Sequence, residues 1–247
     1  MNIHEAEEFL TGLFEPMPDE MGLTAAHAQT IHAVGYATNL TPEVIDAAAE
    51  RNVDLILTHH NAWNFIYGMD VRCRSLLREH RLSHFFVHLP LDAADFGTSA
   101  TFVERLGASI VGKTTAYKGL SCGRIAEFSE PLPFEDLVAK VSAICEEKVL
   151  SWKNHTRSVR RIGFVAGAGE MTADMLEMVE KGCDAYITGE KVLYTLQYAS
   201  FKCIDLIVGS HTYTELPGVE RLARRLIDQF PELSLMRLPE AHDELPQ

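Results

Sequence analysis

Two stretches of this chain follow one plan, and that repeat restricts the fold more than any other feature. The first runs from Gly35 to His60 (GYATNLTPEVIDAAAERNVDLILTHH), the second from Gly163 to Glu190 (GFVAGAGEMTADMLEMVEKGCDAYITGE). Each reads as strand, short turn, helix, strand. Thr41 followed by Pro42 is a helix start, and Thr172 is expected to cap the second helix. Val44, Ile45 and Ala48 form an apolar stripe on one helix; Met175, Leu176 and Val179 do so on the other. Asn52 and Gly182 stop the helices at equivalent places. The closing strands align as Asp54 to Thr58 against Asp184 to Thr188, and the second copy is longer only in its turn, Gly167-Ala168-Gly169. Units of this kind pair their strands in parallel and cover the sheet with helices.

Each copy continues into a further helix and strand. The first goes through a helix around Val71 to Leu77 into HFFVHLPLD, ending at Asp92. The second goes through a helix around Val192 to Ala199 into CIDLIVGSH, ending at His211. Residues from about 108 to 130 read as a strand or hairpin. Phe134, Leu137, Val138, Val141, Ile144 and Cys145 lie at helical spacing and form a core stripe. The last helix is expected to begin near Pro217, and LSLMRL is a final strand. The expected fold is therefore α/β: two similar three-layer lobes with largely parallel or mixed sheets, related by internal duplication. Their expected extents are residues 1–112 and 113–247, packed together with a metal site between them.

Composition narrows the function. A net charge of -13 disfavours nucleic acid as a partner, because phosphate contacts need a basic face. No apolar run approaches the roughly 18 residues of a membrane span, and the acidic start, MNIHEAEEFL, lacks the regions of a signal peptide. The 5 cysteines are odd in number and lack CxxC spacing. Cys145, Cys183 and Cys203 fall in apolar segments and read as reduced core residues of a cytoplasmic protein.

The polar residues at the carboxyl ends of the strands carry the chemistry. They are His59 and His60, Asp92, Glu190, and His211 with Glu215. Ligands of α/β sheets bind at that edge. At a strand's end both adjacent imidazoles can lean into one volume. If Glu215 bridges, His59 and His211 complete one ion's protein ligands, while His60 and Asp92 complete the other's. A shared water or hydroxide then fits between ions about 3.5–4 Å apart. Nitrogen and oxygen donors without thiolate favour zinc, iron, manganese or nickel. Gly167-Ala168-Gly169 reads as a tight strand–helix turn, because it lacks the GK[ST] ending of a phosphate loop. His88 reads as a satisfied buried histidine and Trp63 as an interface or core residue. His27, His32, His80, His84 and His155 read as structural or exposed.

In this order and spacing, THH, HLPLDA, ITGE and GSHTYTE resemble the GTP cyclohydrolase I type 2 family, also described as NGG-interacting-factor-like dinuclear metal proteins. The resemblance runs from about Ile31 to the final helix and is to the short form. It implies two-lobed α/β subunits in a ring-shaped homohexamer with two divalent metal ions per subunit. It places metal roles on His59, His60, Asp92, His211 and Glu215, and puts Glu190 behind the ligands or on the substrate side. Departures fall at Asp19 to Thr24, at Asn61 and at Gly97-Thr98-Ser99; residues around the metals choose the substrate. The implied activity is metal-dependent hydrolysis of a small molecule such as a nucleotide, with Glu190 and Glu215 as catalytic groups. The alternative is a ring-shaped regulatory or assembly protein that holds ions without turnover.

Overall fold

The computed structural model describes residues 1–241 and 244–245 of the 247. The chain divides into two compact units, one of Met1–Leu91 with Val219–Ala241, the other of Asp92–Gly218 with Glu244 and Leu245. The boundary expected near residue 112 thus lies at Leu91/Asp92, and residues 219–241 return to the first unit. A strand near the C-terminus explains the return: Ser234–Arg237 pairs in parallel with Ala33–Tyr36.

In the first unit, α1 (Ile3–Gly12) opens with a capping box between Asn2 and Glu5. β1 (Met21–Ala26), β2 (Ala33–Asn39), α2 (Pro42–Glu50), β3 (Leu55–His60), α3 (Met69–Glu79) and β4 (Ser83–Val87) follow, and β11 (Ser234–Arg237) completes a five-stranded sheet ordered β1-β4-β3-β2-β11. All pairings except β1 with β4 are parallel. Thr41 caps α2 by accepting from Val44 N at 3.2 Å. Val44, Ile45 and Ala48 are buried with Ile56, Leu76, Leu77 and Leu238, and each large aliphatic side chain so buried contributes about 1.5–3 kcal/mol.

The short helix α4 (Leu89–Ala93) crosses into the second unit, so Asp92 lies on a helical turn and not at a strand's end. Then come α5 (Thr98–Leu106), β5 (Ser109–Tyr117), β6 (Leu120–Leu132), α6 (Phe134–Cys145), β7 (Leu150–Trp152), β8 (Val159–Val165), α7 (Thr172–Glu180), β9 (Ala185–Thr188), α8 (Leu193–Lys202) and β10 (Asp205–Val208). The sheet order is β5-β6-β8-β9-β10-β7. Its centre, β8-β9-β10, is parallel, and its margins are antiparallel. β5 and β6 form a hairpin through Lys118 and Gly119, both at positive φ, which suits the twist of a two-residue turn.

Sequence and structure differ at several helix ends. Thr172 is the first residue of α7 and Met171 stands at its cap without a side-chain bond. The buried stripe of α7 is Met175 and Met178, leaving Leu176 exposed. The last helix, α9 (His211–Gln229), starts six residues before Pro217, because Ser210 caps it: its Oγ accepts from Tyr213 N at 3.2 Å. Cys203, at left-handed φ past the end of α8, is exposed, whereas Cys145 and Cys183 are buried as expected.

The repeat is visible as equivalent bonding. Asp54 Oδ2 accepts from His32 N and Ala33 N, and Asp184 Oδ2 accepts from Arg160 N and Arg161 N. In both copies the carboxylate holds the start of the preceding strand. Among the described residues no helix is long and apolar enough to cross a membrane.

Candidate metal centre

In the first unit the site begins where β3 ends. Thr58 Oγ1 donates to His60 O at 2.7 Å at the end of the strand, which stays in register with β2 as far as His60. The rings of His59 and His60 then stand 4.5 Å apart, tilted by 53°, although residues in an extended strand point to opposite faces. Both side chains are buried, at 0% and 2% exposure. His59 Nδ1 donates to Val87 O at 2.8 Å, and His60 Nδ1 donates to Asn39 Oδ1 at 2.8 Å. With Nδ1 protonated, the lone pair of each ring sits on Nε2, as a metal-binding histidine requires. Asn39 is itself held, since Glu240 accepts from Thr38 N at 2.7 Å, Asn39 N at 2.9 Å and Asn39 Nδ2 at 3.1 Å. Burial pushes the Glu240 carboxyl up, against these three bonds.

Two expectations for this region change. His88 is half-buried rather than buried; its Nδ1 meets Glu20 Oε2 at 2.7 Å. Trp63, half-buried, lies against His60 with ring centres 4.5 Å apart and planes tilted by 39°. Both border a cavity of about 410 Å³, with Glu20, Thr24 and Cys73 also on its wall. Beneath the pair, the fully buried His84 ring lies between Thr24 Oγ1 and Thr58 Oγ1. Burial lowers its pKa to about 3, so it is neutral and structural.

In the second unit, His211 and Glu215 lie one turn apart on α9, with His211 Nε2 and Glu215 Oε1 at 3.2 Å. An oxygen of Asp92 is within 4.8 Å of one from Glu215, and Asp92 Oδ1 accepts from Thr98 Oγ1 at 2.6 Å. Glu190 does not join them. It sits behind His211, with Oε1 2.5 Å from Nδ1, where it fixes the ring's orientation.

The Gly167 turn makes room for this group. Gly167 has φ +62, and a Cβ there would run into Glu215 Oε1 and stand 2.8 Å from His211 Nε2. Its N–H donates to Thr214 Oγ1 at 2.9 Å, and its carbonyl accepts from Gly189 N at 3.0 Å. The expected tight turn is therefore present, and it lets one acidic and one basic side chain approach the backbone. Ser99 Oγ, accepting from Ala166 N at 3.2 Å, ties α5 to the same turn.

The electrostatics of this second group suit a cation. Burial alone would push the His211 imidazole down, but the Glu215 charge, hydrogen bonds to Glu190 and Glu215 and the Glu190 charge outweigh it and take it up to about 11. Glu190 is held below the usual carboxylate range by its bond to His211. A field strong enough to keep a buried imidazole protonated is one that a divalent cation can neutralise instead. The donors are two buried imidazoles in the first unit and the half-buried His211 with the buried Asp92 and Glu215 in the second, and they fit a zinc-like ion. Sequence reasoning missed Asn39, Thr98 and Glu240. Asn39 had a signal, because the parallel register sets it beside His60; Glu240 had none.

Comparison with known proteins places the chain among relatives. A protein named GTP cyclohydrolase 1 type 2 homolog from Pyrococcus horikoshii is 27% identical over 231 residues, covering 91% of each chain. Its namesake from Haemophilus influenzae is 28% identical over 217 residues, covering 85% of each. The structure of Thermus thermophilus protein TTHA1606 superposes with a TM-score of 0.81 at 22% identity, over 98% of this chain and 100% of that one. A Bacillus cereus protein related to NIF3 shares the fold at a TM-score of 0.80 and 13% identity, over 98% of each chain. The profile of the Duf34/NIF3 (NGG1p interacting factor 3) family matches residues 1–243. This chain belongs to that family.

Proposed function

We propose that His59 and His60 of the first unit and Asp92, His211 and Glu215 of the second hold two divalent metal ions of the zinc, iron, manganese or nickel class, and that the protein is a metal-dependent hydrolase. The observation that supports this most is the pair of buried, adjacent imidazoles whose Nδ1 atoms are both held by oxygen acceptors. Such bonds place the lone pairs of both rings on Nε2. When bound, a metal pair supplies a water of lowered pKa and stabilises negative charge in the transition state.

The chain's own residues do the rest. Glu215, beside both Asp92 and His211, would be the carboxylate shared by the ions. Glu190 is a positioning residue for His211 and, being 45% exposed, can also pass a proton to solvent. Trp63 and the cavity beside His60 receive the substrate, a small molecule of nucleotide type, as the name of the curated relatives suggests. The assembly is a homohexamer and the protein is cytoplasmic. Metal-dependent hydrolysis measured over nucleotides and phosphoesters tests the reading. Turnover that needs added metal and disappears in Glu215→Ala supports it, and turnover unchanged by that substitution overturns it.

A further inference from the structure

Arg124, on β6, is the largest fully buried side chain among the described residues. A guanidinium keeps its charge inside a protein, and a buried charge is normally answered by a carboxylate. Among the described residues Arg124 forms no ion pair. It donates instead to four main-chain carbonyls. Nη1 reaches Ser121 O at 2.8 Å and Gly123 O at 3.0 Å, and Nη2 reaches Ala93 O at 2.7 Å and Ala94 O at 3.0 Å. Burial pushes the guanidinium's pKa down, and the nearby charges of Asp95 and Asp92 act against that. The first two bonds tie the group to its own strand. The other two go to the end of α4, the helical turn that carries Asp92.

We propose that Arg124 is a positioning residue for Asp92, holding the turn at Ala93 and Ala94 so that the Asp92 carboxylate stays beside Glu215. The inference rests on the metal-binding reading above and adds to it a residue that touches no ion. Carbonyls at the end of a helix have no partner further along it, and a cation is favoured there. Arg124 supplies both the donors and the charge. On the other side of the turn, Gly97 N donates to Ala94 O at 3.0 Å, and Thr98 Oγ1 donates to Asp92 Oδ1 at 2.6 Å. Asp92 is thus held twice, at its carboxylate by a hydroxyl and through its main chain by the guanidinium. The turn's other charged contact, Asp95 with Lys113 at 2.7 Å, is at the surface, with the Asp95 side chain 81% exposed, and such pairs fix little. Lysine could not replace the arginine, because an ammonium is a point charge while the planar fork donates in two directions at once. Without the fork the turn relaxes, and a donor displaced by more than about 0.5 Å leaves its working geometry.

The test is a double-mutant cycle on the full chain, which isolates the coupling between two positions. Zn²⁺ affinity is measured against a chromophoric chelator for the wild type, Arg124→Lys, Asp92→Asn and the two substitutions together, with melts in chelator as the check of folding. Arg124→Lys should weaken zinc binding about tenfold or more in the wild-type background. Once Asp92 is replaced, the same substitution should change affinity by less than about twofold, because the group it positions is gone. Arg124→Gln should show the same dependence. An arginine that serves only the fold would give equal losses in both backgrounds, and that result overturns the assignment. Zinc affinity unchanged by Arg124→Lys and Arg124→Gln in folded protein overturns it as well. If neither variant folds, the arginine is a requirement of the fold and the assignment fails. These three results leave the metal-binding reading intact, whereas a wild type that holds no metal overturns both.

Discussion

Gly167 tests the donor group of the second unit without replacing a donor. Gly167→Ala adds one methyl group at φ +62, beside Glu215 Oε1, with Glu215 Cδ at 2.9 Å and His211 Nε2 at 2.8 Å. Left-handed backbone costs an alanine roughly 1–2 kcal/mol, and overpacking a buried group adds about 1–3 kcal/mol. The stability loss should therefore be about 2–5 kcal/mol, or very roughly 4–20 °C in Tm for a chain of this size. Restoring ordinary contact distances moves the carboxylate by on the order of 1 Å, beyond the tolerance of about 0.5 Å within which a site keeps its geometry. Metal affinity should fall about 10–100-fold, as when a supporting residue is lost. Gly182→Ala is the control: its φ is +73, but the nearest atom to its added Cβ is Arg161 Nη1 at 3.7 Å, so it carries backbone strain alone. Zn²⁺ titration against a chromophoric chelator, with melts in chelator, separates the effects. If Gly167→Ala binds zinc as tightly as Gly182→Ala, the turn does not shape the site and the reasoning fails.

Further outcomes follow from the hydrogen bonds and buried charges. Glu240→Ala removes the carboxylate that orients Asn39 behind His60; urea unfolding should show a loss of about 2–4 kcal/mol, and zinc affinity should drop with it. His84, depressed to about 3 in the folded chain, takes up a proton near pH 6.5 only when unfolded. Its contribution is complete above that pH and is lost as pH falls toward 3, at up to about 1.4 kcal/mol per pH unit; unfolding at pH 7, 6 and 5 should show a shallower fall in His84→Gln. Asp174 behaves oppositely: burial and the charges of Glu170 and Glu177 raise its pKa to about 6. Stability is full below its unfolded value and is lost as pH rises through 6, so Asp174→Asn should gain about 1 kcal/mol at pH 7 after allowance for partial exposure. An unchanged or lower midpoint in urea would refute that assignment.

Much of the fold was legible because the repeat carries its own punctuation. Thr41, Pro42, Asn52 and Gly182 mark helix ends through local bonding and positive φ, which depend on few neighbours. The start of α9 was misplaced because Pro217 looked like a first helical residue, while the cap at Ser210 works through a hydroxyl that has many other uses. Leu176 and Met178 are both apolar, so the buried face of α7 was settled by packing against β8, where Gly163 leaves space for Met178. At the site, the ligand types stood out by chemistry and by their place after strands. Their orienting groups did not. Val87 contributes a carbonyl, which no side-chain pattern reveals, and Glu240 is about 200 residues from the backbone it holds.

Metal content of the purified protein tests the central claim most directly. Elemental analysis after exhaustive dialysis should give about two transition-metal ions per chain for the wild type and a reduced number for Glu215→Ala. A wild type without bound metal, or one whose content is indifferent to that substitution, would contradict the account.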